Sequence, residues 1–139
     1  MDLPQELTQS AICRGTILHS TLFEEIDHGK YFVVIGVSQD CVVGFFFINS
    51  NIHPSLRNKP EQWAMQYPMR KKDYPFLRYD SFLCATGFIK RSLKDLAQSL
   101  ADSKSKIVGT MQESHLKELL QSVRQSKLFT PKDLRDFCS

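Results

Sequence analysis

The sequence predicts an α+β fold, a small antiparallel β-barrel packed by C-terminal helices. Three features point there. Runs rich in β-branched and aromatic residues occupy 15–50 and 80–90, capped amphipathic segments fill 92–139, and no repeat or low-complexity tract divides the chain. With 139 residues, 42% hydrophobic and 24% charged, the chain is one ordinary domain, residues 1–139, large enough to bury a core without a staple. No metal, cofactor or disulfide is therefore expected.

The elements follow in order. After a polar lead, residues 15–19 read as a short strand, and residues 23–29, "FEEIDHG", as a loop rich in acid and histidine. Residues 30–37, "KYFVVIGV", form a clearer strand, and "SQDC" supplies turn residues before the next one. That next strand opens "VVGFFFINSN", whose unbroken apolar run fits a strand buried on both faces or rolled into a barrel. It ends in Asn49, Ser50 and Asn51, which either close their own turn or face a cleft and bind a ligand. From residue 51 to 79 periodicity disappears among Pro54, Pro60, Pro68 and Pro75, which reads as a long insertion with one helical turn near 61–67. Residues 81–89, "SFLCATGFI", return to strand composition, Phe82, Cys84 and Thr86 facing opposite to Ser81, Leu83 and Ala85. Three helix starts follow, at Ser92 with Asp95, at Thr110 with Glu113, and at Thr130 before Pro131 and Asp133. Behind the first two, Leu93, Leu96, Ala97 and Leu100 make one apolar stripe, and Met111, Leu116, Leu119, Leu120 and Val123 another.

No apolar run reaches the roughly 18 residues of a membrane span, and the first ten residues lack the pattern of a signal peptide, so a soluble cytoplasmic protein with no membrane partner is expected. Cys13, Cys41, Cys84 and Cys138 are widely spread, without metal-ligand spacing, and read as reduced, packed thiols.

A net charge of +3 conceals an asymmetry. Acidic residues dominate 1–50, whereas 51–91 carry Arg57, Lys59, Arg70, Lys71, Lys72, Arg78, Lys90 and Arg91 against three acids. Trp63, Tyr67, Tyr74, Phe76 and Tyr79 are interleaved with them. Cations offset phosphates and rings accept base faces, so the stretch suits single-stranded nucleic acid; the plainer alternative is a solvated loop with packed aromatics.

The order of "HGKYFVVIGV", "INSN", "RYDSF" and "KIVGTMQESHLKELLQSV" resembles the MazF/PemK-type toxins, over roughly residues 15–125. The resemblance implies an SH3-like barrel, a metal-independent endoribonuclease of single-stranded RNA, a homodimer and an antitoxin protein as partner. It places a phosphate-contacting cation at Lys30, where the family has arginine, and a polar partner at Asn49 or Ser50; this chain's own His28 or His53 would substitute for the family's acid–base residues. Arg57, Arg70, Lys71, Lys72, Arg78, Trp63 and Tyr67 would guide the strand. The alternative is an inactive member of the same fold serving as a nucleic-acid- or protein-binding module.

Overall fold

The computed structural model describes residues 11–21 and 29–139. Seven antiparallel strands are laid out as β1 (Thr16–Ser20), β2 (Lys30–Val37), β3 (Val42–Asn49), β4 (Gln66–Met69), β5 (Ser81–Cys84), β6 (Ile89–Ser92) and β7 (Ser105–Thr110). The helices lying wholly within the described residues are α1 (Pro60–Trp63), α2 (Leu93–Ala101), α3 (Glu113–Gln125) and α4 (Pro131–Cys138). The sheet order is β4-β5-β3-β2-β1-β7, with β6 sharing the β5 side of β3. The class is α+β, as the sequence indicates. The expected barrel is not closed, because β4 and β7 end the ladder as separate edges among the described residues.

The apolar runs of β2 and β3 are explained by burial on both faces. Val33, Ile35, Phe46 and Ile48 face Leu119, Val123, Phe129 and Phe137 of the C-terminal segment. Phe32, Val34, Val43 and Phe45 face Leu96 and Ala97 of α2 on the other side. The sheet is thus a middle layer, which leaves little of these strands to alternate with solvent. One extra residue in β2, between Val34 and Gly36, brings Gly36 opposite Gly44. Side chains are missing at both positions, and the backbone and ring of Phe137 fill the hollow.

Several expectations change in detail. Residues 51–79 are not structureless: they hold a 3-10 turn (Pro54–Asn58), α1 and β4, which pairs with β5. The single strand read over 81–89 is two, β5 and β6, both on β3. The helical third contains β7, so Thr110 ends a strand and Gln112 occupies the N-cap of α3. Its sequence "SKIVGT" follows a helix and precedes a capping pattern, which masked its β-branched pair. Ser92 and Thr130 do cap α2 and α4, their hydroxyls accepting from the backbone N–H of Asp95 and Asp133. No helix among the described residues is long and apolar enough to cross a membrane.

Candidate functional site at the end of the third strand

Strand alternation decides what the far end of the sheet presents. Lys30 has the parity of Phe32 and Val34, Asn49 that of Phe45, and Cys84 and Gln66 are cross-strand partners on the same face. α2 starts beside the beginning of β3, where Ser92 pairs with Val42, and covers the apolar residues there. The opposite end of that face stays open. The chain leaving β3 curls around it through Ser50, Asn51 and Ile52 into the 3-10 turn, enclosing a cavity of about 390 Å³.

Four of the sequence-predicted catalytic residues, Lys30, Asn49, Ser50 and His53, line this cavity together. His28 lies outside the described residues. The Lys30 ammonium donates to the Asn49 side-chain oxygen and stands 5.5 Å from the centre of the Phe47 ring. Burial holds its pKa below the ordinary lysine value, with nearby Cys84 acting in the opposite direction. None of the described residues lining the cavity is a carboxylate; the ammonium shares it with the Asn49 amide, the Gln66 amide, the Ser50 hydroxyl and the Cys84 thiol. Such an environment favours an incoming anion, which would supply the missing counter-charge.

His53 shapes the rim. Its Nδ1 accepts from the backbone N–H of Ser55 at 3.1 Å and lies 2.7 Å from the Ser55 hydroxyl, capping the 3-10 turn. A nitrogen that accepts a backbone N–H carries no proton, so the neutral ring holds its proton on Nε2 and is a donor there. His53→Ala is expected to cost about 1 kcal/mol and speed proteolytic cutting near residue 55, while His53→Asn, which keeps an acceptor, restores resistance. Equal cutting of all three forms would remove the capping role.

The guiding residues are divided. Arg57, Arg70, Lys71, Lys72 and Arg78 are exposed, as is Trp63 at 43%. Lys71 also fixes its loop, its backbone N–H donating to Asp80 Oδ1 at 2.8 Å. Tyr67 is on the opposite face of β4 from the cavity, packs on the core and donates its hydroxyl to Glu118 at 2.7 Å. Tyr74 and Phe76 also pack inward, so the plainer reading holds for these three rings. Tyr79, 62% exposed, stays at the surface with Trp63.

Ile52, Pro54 and Leu56 complete the wall formed by the chain leaving β3, and two further lining residues, Gln66 and Cys84, were not expected from the sequence. The alternation that sets Cys84 against Leu83 was legible, but the pairing of "QYPM" with "SFLC" was hidden by Pro68 and the irregular stretch between them. Among the described residues no group of three or more His, Cys, Asp and Glu side chains is placed to hold a metal ion. No family model matches this chain, and no curated protein matches it.

Proposed function

We propose that the protein is a toxin-like relative of the MazF/PemK group, SH3-like in descent, that binds single-stranded RNA at the Lys30 cavity and cuts it without a metal. The observation behind this reading is the gathering of Lys30, Asn49, Ser50 and His53 around one cavity whose ammonium has no carboxylate beside it among the described residues. A phosphate diester supplies the anion such a site lacks. In the cleavage step the RNA's own 2′-hydroxyl attacks phosphorus, Lys30 offsets charge growing on the phosphoryl oxygens, and His53 Nε2–H hydrogen-bonds the leaving oxygen, which takes its proton from water. His28, the alternative acid–base residue of this reading, lies two residues before Lys30 in the chain, and His28 or solvent takes the 2′-hydroxyl proton. Exposed Arg57, Arg70, Lys71, Lys72, Arg78 and Trp63 add affinity along the strand. A two-fold dimer and an acidic antitoxin partner belong to the same reading.

One observation favours the second reading, an inactive binding module. Asn49, Ser50 and Gln66 around the ammonium are amides and a hydroxyl, groups that take no part in proton transfer near neutral pH. Incubating the protein with a pool of single-stranded RNAs in chelator, and sequencing the new ends, separates the two. Cuts at a short sequence, reduced at least about 100-fold in Lys30→Ala, are expected for the nuclease. An intact pool with salt-dependent retention assigns the module instead. No retention at low salt overturns both.

A further inference from the structure

The cavity holds a nucleophile that the RNA reading leaves unused. Cys84 lines it together with Lys30, whereas Cys138 is buried and Cys13 and Cys41 are exposed elsewhere. Its sulfur sits 3.5 Å from Gln66 Nε2, which donates to it, and 3.4 Å from the Thr86 hydroxyl. An amide donor, a hydroxyl and an ammonium thus surround one thiol at the edge of an open cavity. The cavity of about 390 Å³ leaves space beside the sulfur for a small molecule.

We propose that Cys84 is a thiol-modification site selective for small carboxylate-bearing disulfides, with Lys30 recruiting the carboxylate. The Cys84 thiol loses its proton to solvent, and the thiolate attacks one sulfur of the disulfide. A new S–S bond forms to Cys84 as the original S–S bond breaks. The departing half leaves as a thiolate with the bonding pair and takes up a proton. The protein thiol is oxidised and half of the small disulfide is reduced, so no other oxidant enters. The adduct fills the space beside Lys30 and sets a carboxylate against its ammonium. Reduction by excess thiol reverses it. The labelling itself does not depend on RNA binding; only its use as an off-switch for the cavity rests on the reading above.

Three small disulfides of one chemistry and different charge test this: dithiodipropionate, hydroxyethyl disulfide and cystamine, anionic, neutral and cationic. The full chain is incubated with each, and the mixed disulfides are located by peptide mass spectrometry, with exposed Cys41, next to Asp40, as the internal reference. Relative to Cys41, Cys84 is expected to react about ten-fold faster with the anionic than with the cationic reagent. Lys30→Gln brings that ratio near one. Cys84 unlabelled, or ranking the three reagents as Cys41 does, overturns the proposal, and the comparison within the unmutated protein needs no variant to fold. A protein that labels as expected but retains no RNA keeps the modification site and loses the RNA reading. One that retains RNA equally with and without the adduct loses the off-switch and, with it, the proposed cavity for RNA.

Discussion

Gly36→Ala unfastens the C-terminal helix and lowers stability by about 3 kcal/mol, a fall of roughly 10 °C in Tm for a chain of this size. A Cβ on Gly36 would meet the Phe137 carbonyl oxygen at 2.2 Å and its Cα at 2.7 Å, both backbone atoms that no rotamer change relieves. On Gly44 the new carbon would meet the Phe137 ring at 2.7 Å. The helix end cannot simply slide away. Arg14 donates to the carbonyls of Ile35 at 2.8 Å and Phe137 at 2.9 Å, tying β2 to α4, and Arg124 donates to the Cys138 carbonyl at 2.6 Å. Shifting α4 strains these bonds and lifts Phe137, 2% exposed, out of the core, a loss that sets the upper range at about 3–5 kcal/mol. Gly87→Ala is the control, since a Cβ there meets nothing within 4 Å and is expected to change stability by less than about 0.5 kcal/mol. If the two variants melt together, the glycine hollow is not what seats α4.

How much of this was readable from the sequence depends on whether the signal was local. "KYFVVIGV" and "VVGFFFIN" carry enough β-branched and aromatic residues to declare strands, and their lack of polar alternation already implied two covered faces. Ser92 and Thr130 declare helix starts because a cap acts over three residues. What failed was non-local. β4 contains Pro68 and owes its extended state to pairing with β5, and β7 is held as the partner of β1 across about ninety residues, so neither has a periodicity of its own. The site divides in the same way. Lys30 and Asn49 were found from strand ends, and their mutual contact follows from adjacent positions in the β2/β3 ladder. Gln66 entered only through tertiary pairing. Tyr67 turns toward the core, which composition could not foresee because it does not say which face of a strand a ring takes.

Lys30→Gln is expected to weaken binding of single-stranded RNA about 10- to 100-fold at neutral pH, the worth of one charge-assisted contact in a half-buried site. Because one phosphate is no longer neutralised, the slope of log affinity against log salt also becomes shallower by about 0.7. Alanine at any one of Arg70, Lys71 or Lys72, exposed and screened, has a smaller effect. The pH dependence separates the buried cation from the surface ones. Burial lowers the Lys30 pKa, so its positive charge and the anion affinity it gives are complete below that lowered value and vanish as pH rises through it, before ordinary lysines discharge. The free fold moves the other way: the unfolded chain binds this proton more tightly, so the cost of burying the charge falls over the same pH rise. RNA affinity therefore drops on the alkaline side while this group's contribution to stability improves, so discharge of Lys30 does not itself act through unfolding. Lys30→Arg keeps a charge that does not titrate in that range and is expected to hold affinity there. Titrating RNA binding of the three forms by fluorescence anisotropy from neutral to alkaline pH decides the matter. A drop shared by Lys30→Arg and the unmodified protein would move the anion site away from Lys30 and onto the exposed cations of residues 57–78.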